Sequence, residues 1–374
     1  MFTPPKTQGA GLVAWRWMIP PLPGGEGRGE GKRVIERTAV AFPKPRWTCL
    51  LLACFVCVRF AFSAVVFETT SPYHHIRVVD QQGIRTLSFD QSQETRMSLR
   101  NPLTGHFSYT EFFHMPWLWN PKMKSVLMIG LGGGSIQRAY QRSYPDVVVD
   151  TVELDPTVVE VAKKYFFVTE TPTHKIQVLD GRLHLRRTQK KYDAIILDAY
   201  KSSRYGSFIP YHLVTKEFFE LAREHLTDDG VVAYNVIGNL QGWRTDILGA
   251  VYATLKSVFP QVYLFPASDS WNIVMIATRN AEAFTYAKLG RQANELAARN
   301  RLSMPSFRTR MAAFRVSAPP SSNGTQVLTD DFAPLDGLLA RAPSAGARHP
   351  LNRIPVPEAS QIQTNREDST KEPP

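Results

Sequence analysis

The sequence predicts an α/β protein: a doubly wound, mostly parallel sheet preceded by a small antiparallel β subdomain. Three observations predict it. Residues 126–155 read as an apolar run, a glycine-rich turn, a helix, a second apolar run and an acidic end. Downstream, apolar runs of strand length alternate with amphipathic stretches of helical period, the pattern of a parallel sheet covered on both faces. Upstream, residues 71–99 alternate apolar and polar side chains around an Asp80-Gln81-Gln82-Gly83 turn, as antiparallel strands do.

Within the opening unit, residues 126–129 form a short apolar run of the kind buried in a parallel sheet. Gly130, Gly132 and Gly134 follow at alternate positions, with Gly133 between two of them, and Ser135 is placed to cap the next helix. Glycines here permit a tight turn and a close approach of backbone to ligand. The second strand, 147–154, carries Glu153 near its end, 23 residues after Gly130. An acid at about that distance is placed to accept from ribose hydroxyls. A glycine turn alone also serves packing. Together with the helix and the acidic strand end, it indicates a nucleoside-containing cofactor.

With 374 residues the chain can build one large or two modest domains. Residues 1–45 are rich in Gly and Pro without hydrophobic period, which predicts disorder or a stretch ahead of the true translation start. Residues 46–66 hold the most apolar window, 48–66, preceded by Lys44 and Arg46 and followed by small residues. That layout suits a secretory signal or an anchor, and so membrane association or export, although Arg59 is costly inside a bilayer. A buried core segment or a start-site artefact gives the same composition, and the protein is then cytoplasmic. Cys49, Cys54 and Cys57, all the cysteines, lie in this window, so neither a disulfide nor a thiol nucleophile is expected in the body.

The β subdomain is assigned to 67–105 and the cofactor-binding catalytic domain to 106–280. In the latter, the aromatic run 107–119 is read as a helix, with Tyr109 and Glu111 its polar exceptions. A helix over 156–166 starts on proline, and a strand over 176–179 ends at Asp180-Gly181. An Arg-rich helix over 183–188 precedes a strand over 192–197 that ends at Asp198. Helices over 215–225 and 243–258 flank a strand over 230–235, and 262–265 with 273–277 form a closing hairpin. Residues 281–340 are assigned to a C-terminal helical or lid extension, in which 281–315 reads as helical and basic with a solvated face and 327–335 returns to an ordered composition. Residues 341–374 are polar and Pro-rich and read as a disordered tail. The net charge of +11 sits largely in such outlying segments, so nucleic acid is not indicated as a partner. The histidines show no metal-binding helical spacing, and no metal is predicted.

Glu153, Asp180 and Asp198 all fall at carboxyl ends of strands, where a doubly wound sheet binds ligands. Glu153 is expected to accept from ribose hydroxyls. Asp180 is expected to accept from an adenine amino group, with Gly181 letting the backbone turn, or to act as a helix N-cap. Asp198 is expected to be a general base or electrostatic partner, or else a loop residue bonded to backbone.

Between about 71 and 278 the chain resembles the spermidine synthase-like aminopropyltransferases, within the class I S-adenosylmethionine-dependent methyltransferase superfamily. The resemblance rests on the pieces SPYHHIRV, FSYTEF, IGLGGGS, VELDPTVVEVAKKYF, VLDGRLHL and IILDAY, in that order and spacing. It implies a Rossmann-like, methyltransferase-type sheet that holds decarboxylated S-adenosylmethionine as co-substrate. A small-molecule amine would attack the carbon beside the sulfonium, a step of polyamine biosynthesis, and homodimers are common. By resemblance, Glu153 is similar to the ribose acid and Asp180 to the adenine acid. Asp198 is similar to the aspartate that deprotonates the amine, and Tyr109 to an acceptor-pocket tyrosine.

The chain departs from the pattern at two acids. Gly133 fills the place of the turn aspartate that holds the aminopropyl amine, and Asp198-Ala199-Tyr200-Lys201 lacks the second acid of the catalytic loop. Tyr200, Asp330 and Asp331 are the remaining acceptor-side candidates, the aspartates if the chain folds back over the pocket. Two other readings stay open. One is a methyltransferase that uses intact S-adenosylmethionine. The other is a non-catalytic, membrane-tethered homologue.

Overall fold

The structure is a computed structural model, and it describes residues 63–203, 206–242, 244–299 and 304–340. Residues 1–45 and 341–374, and most of the apolar window at 48–66, lie outside them.

Four strands open the described chain as an antiparallel meander: β1 (Ala64–Thr70), β2 (His75–Gln81), β3 (Ile84–Phe89) and β4 (Ser92–Ser98). Gln82 and Gly83 connect β2 to β3 with φ of 51° and 77°, the doubly left-handed geometry of a tight hairpin turn. The alternation read from the sequence buries Ile76, Val78, Leu87, Phe89 and Met97 on one face, against Val158, Val161 and Phe166. One expectation is corrected at β1. Ala64, Val65 and Val66, the end of the apolar window, belong to this edge strand, where Val65 is 49% exposed. Among the described residues, no helix is long and apolar enough to cross a membrane.

The main sheet contains β5 (Ser125–Ile129), β6 (Val148–Glu153), β7 (His174–Val178), β8 (Tyr192–Leu197), β11 (Leu226–Ile237), β12 (Gln261–Pro266) and β13 (Asn272–Thr278). Their order is β12-β13-β11-β8-β5-β6-β7. The five from β11 to β7 are parallel, and β13 and β12 close the sheet as an antiparallel hairpin. The chain leaves β5 toward β6 and β7, then returns to β8 on the other side of β5. The order therefore reverses between β5 and β8, and ligands of doubly wound sheets sit outside the carboxyl ends at such a point. A short hairpin, β9 (Lys201–Ser203) and β10 (Gly206–Phe208), follows β8 directly.

Both faces are covered, as continuous apolar strands require. The helices Lys216–Glu224 and Thr245–Val258 pack on one face. The other face carries Ser108–Leu118, which winds as a 3₁₀-helix around Pro116 and buries nearly every side chain.

The C-terminal extension corrects the reading of a solvated lid. Helices Tyr286–Ala298 and Phe307–Met311 bury Leu289, Ala293, Leu296 and Phe307 against the 3₁₀-helix and β12. Glu111 is the polar anchor of this contact. Its Oε2 accepts from Arg310 Nε and Ser306 Oγ, both at 2.6 Å, and its Oε1 lies 3.0 Å from His106 Nε2. Burial works against the charge, but His106, Ser306 and Arg310 outweigh it and hold the carboxyl at about 2. A depressed carboxylate stabilises the fold above its ordinary value of 4.5 and loses that contribution as pH falls toward 2. Glu111→Gln is therefore expected to cost about 1–3 kcal/mol in urea unfolding at pH 7. The deficit should shrink below about pH 4.5, where the wild-type carboxylate begins to lose its advantage. An equal deficit at pH 3 and pH 7 would assign the effect to shape and not to charge.

Candidate active site

A cavity of about 460 Å³ opens at the carboxyl ends of β5, β6 and β8, roofed by β4 and the hairpin β9–β10. Its size suits a nucleoside-sized ligand. The strand ends are drawn together by backbone. Asp198 N–H donates to Ile129 O at 2.9 Å, Gly130 N–H to Val152 O at 2.9 Å, and Leu179 N–H to Glu153 O at 2.9 Å.

Gly130 has φ of 99°, and a Cβ there would stand 2.4 Å from the carbonyl oxygen of Asp198. The turn glycine is thus what lets β5 and β8 approach at the switch point. Gly132 and Gly134 also have positive φ, and Gly134, not Ser135, occupies the N-cap position of the helix Ser135–Ser143. Gly133 has a different reason. Its N–H donates to Thr95 Oγ1 at 2.9 Å, and a Cβ would meet the Thr95 side chain at 2.6 Å. Where the resemblance leads one to look for an aspartate, the β4 strand fills the space.

Of the expected cofactor residues, Gly130, Gly132, Glu153, Asp180 and Gly181 line the cavity, and Gly134 does not. Glu153 Oε2 accepts from Leu131 N–H at 2.9 Å and Oε1 from Asp155 N–H at 3.0 Å, leaving further lone pairs for hydroxyls. Burial raises its pKa, and these amides offset part of the rise. Asp180 is a helix N-cap, accepting from Leu183 N–H at 2.9 Å, while its Oδ2 lies 2.7 Å from His212 Nε2. Burial opposes its charge, but His212 and the helix amides hold it below the ordinary range. Gly181 is not a turn glycine. It begins the helix Gly181–Arg187, and a Cβ would sit 2.4 Å from Ile129 Cγ2, so its role is close helix-to-strand packing.

Asp198 is half-buried and lines this cavity. Oδ2 accepts from Tyr109 Oη at 3.1 Å and Oδ1 from Asn235 Nδ2 at 2.8 Å. Asn235 is oriented in turn by Asn272, whose Nδ2 donates to its Oδ1 at 3.1 Å. Desolvation pushes Asp198 up to about 7, against the pull of Asn235 and Tyr109 and with a push from the charge of Glu94. A carboxylate ionised near neutrality, fixed by two donors and facing a cavity, can take a proton from a bound group.

On the acceptor side the sequence reading needs correction. Tyr200 does line the cavity, but its hydroxyl donates to Asn235 O at 2.6 Å. Asp330 pairs with Arg182 at 2.6 and 2.7 Å and accepts from Thr215 Oγ1 at 2.7 Å. Neither it nor Asp331, which is exposed, lines the cavity, and among the described residues nothing beyond Asn272 does. The chain returns to β11's helical neighbours and not to the pocket, because Leu328 and Leu335 bury on that face.

Two groups escaped the sequence reading. Asn235 was legible as a polar side chain closing an apolar strand. Glu94, half-buried at the cavity wall, carried no signal, because its strand alternation is broken.

Among the described residues, no cluster of three or more His, Cys, Asp or Glu could hold a metal ion. A sequence model of the spermine/spermidine synthase domain matches residues 106–284. A polyamine aminopropyltransferase of Vibrio vulnificus (strain CMCP6) is 32% identical over 238 residues, covering 61% of this chain and 76% of that protein. The chain belongs to the polyamine aminopropyltransferase family. It is a transferase by that membership. Another family member, from Chromobacterium violaceum, is 28% identical over 240 residues, 63% of this chain and 88% of its own. The fold is shared with a probable spermidine synthase from Corynebacterium glutamicum, with a TM-score of 0.56 at 18% identity over 72% of this chain and 98% of that one. A spermidine synthase bound to the transition-state analogue AdoDATO has a TM-score of 0.54 at 20% identity, over 68% of this chain and 84% of its own.

Proposed function

We propose that this family member transfers an aminopropyl group from decarboxylated S-adenosylmethionine to a small amine. The observation that carries the reading is Asp198, raised to about 7 and held between Tyr109 and Asn235 at the switch point. An aliphatic amine arrives largely as ammonium and must lose a proton before it can attack. Asp198 takes that proton. The freed nitrogen lone pair then bonds the carbon beside the sulfonium, the C–S bond breaks, and its electron pair stays on sulfur as a neutral thioether. The chain's contribution is position and proton removal. Glu153 is assigned to the ribose hydroxyls, Asp180 and Gly181 to the adenine end, the turn at Gly130 and Gly132 to backbone contact, and Tyr109 and Tyr200 to the acceptor wall.

Methyl transfer from intact S-adenosylmethionine is the second reading. It is favoured by Gly133, which removes a negative charge from the turn, and by Lys201 at the cavity, which could face a carboxylate. Incubation with each cofactor and a panel of primary amines separates the two. Methylthioadenosine and an aminopropylated amine are expected with the decarboxylated form and no turnover with the intact one. A methylated product from the intact cofactor would sink the proposal.

A further inference from the structure

The cavity holds an acid that the family resemblance does not supply. In the ladder between β3 and β4, Leu87 faces Thr95 and Ser88 faces Gln93. Glu94 has no partner and stands as the extra residue of a β-bulge. Bulges break the alternation of a strand and re-aim side chains. The effect is visible here, because Gln93, Glu94 and Thr95 all line the cavity, which three consecutive residues of a regular strand could not do.

Thr95 fixes where Glu94 stands. By accepting from Gly133 N–H, Thr95 ties this bulge to the glycine turn, so Glu94 is held in the cavity wall between that turn and Ser207. Its Oε1 accepts from Ser207 Oγ at 2.9 Å, and that hydroxyl is 2.6 Å from Ser92 Oγ. The serines solvate the carboxylate but bring no charge. Among the described residues, no Lys or Arg is within ion-pair distance of it. Desolvation raises its pKa, partly offset by Ser92 and Ser207, and its charge acts on both Asp198 and Tyr109. A carboxylate partly withdrawn from water without a cation is destabilised unless a ligand brings one.

We infer that Glu94 pairs with the ammonium at the end of the donor's three-carbon arm and rejects the intact cofactor, whose additional carboxylate would be brought against it. This rests on the aminopropyl reading above. It also gives the missing turn aspartate a physical successor: β4 occupies the space at position 133 and delivers its own acid one residue away from the plug. Rejection by like charge is as much a part of specificity as attraction.

The test is calorimetric titration of the full chain and its Glu94→Gln and Ser207→Ala variants with three ligands. These are decarboxylated S-adenosylmethionine, intact S-adenosylmethionine, and methylthioadenosine, which lacks the ammonium-bearing arm. Glutamine keeps the shape and the acceptor for Ser207, so the variant should fold. Glu94→Gln is expected to weaken the decarboxylated form about 10- to 100-fold, to leave methylthioadenosine within about twofold, and to narrow the preference over the intact cofactor. Ser207→Ala removes the hydrogen bond but not the charge and is expected to keep that preference. Equal losses for the decarboxylated form and methylthioadenosine would overturn the assignment, as would a Ser207→Ala variant that reproduces Glu94→Gln. Wild-type preference for the decarboxylated form with an unresponsive Glu94→Gln overturns the role of Glu94 alone. Wild-type preference for the intact cofactor overturns the aminopropyl reading and this inference with it.

Discussion

Replacing Asp198 by asparagine is expected to lower turnover by about 10²- to 10⁴-fold while making the protein more stable above pH 7. The geometry should survive. Asn235 can still donate to the side-chain oxygen, and the Tyr109 hydroxyl can turn to accept from the new amide. What is lost is the proton acceptor. In the wild type the rate should rise with pH through about 7 as Asp198 ionises, and the variant should lose that limb.

The stability sign follows from the direction of the shift. Asp198 has its ordinary value of 3.8 in the unfolded chain and about 7 when folded, so the folded state holds the proton more tightly. The contribution of Asp198 to stability is therefore most favourable below 3.8, falls as pH rises toward 7, and stays lower above it. At 1.36 kcal/mol per unit, the cost above pH 7 is at most about 4 kcal/mol. Asparagine carries no such cost. Thermal unfolding should show a gain for Asp198→Asn at pH 8 and almost none at pH 4. A variant that loses activity without this pH-dependent gain would mean that Asp198 is not held under desolvation.

Gly130→Ala is expected to be the most damaging single change in the turn, at roughly 2–6 kcal/mol in denaturant unfolding. Two costs combine. The residue has φ of 99°, outside the range that alanine adopts readily, and its Cβ would lie 2.4 Å from Asp198 O and 2.8 Å from Asp198 C. Both atoms are backbone, so no rotamer relieves the clash. Relief requires β5 and β8 to part at the place where Asp198 is positioned, so residual activity should fall with stability. Gly132→Ala is the control. Its φ is 52° and its nearest neighbour would be Thr95 Oγ1 at 3.1 Å, so a loss of only about 1–2 kcal/mol is expected. Equal losses for the two variants would show that the contact at Gly130 relaxes.

Local pattern carried much of this protein. The glycine turn, the acid near the end of β6 and Asp198 after β8 each sit where strand period and turn chemistry put them. Periodicity is a property of neighbouring residues, so it can be read without a fold. Two readings failed because they concerned chain segments far apart in sequence. Asp330 and Asp331 are acceptor candidates only if the chain folds back over the pocket, but Arg182 pairs with Asp330 outside it. The basic stretch after Ala281 was read as solvated, but its sparse apolar residues meet the aromatic 3₁₀-helix.

What the sequence determined by itself is the sheet, the switch point and the acids at its strand ends, because each follows from alternation, apolar run length and glycine position. Only the tertiary structure decided why position 133 is glycine, what orients Asp198 and where Glu94 stands. Gly133 is set by Thr95, 38 residues away, Asp198 by Asn235, 37 residues away, and Glu94 by a bulge that breaks the very period from which strands are read. A side chain's chemistry is written in its own position, but its partners and its desolvation depend on which distant segments the fold brings against it.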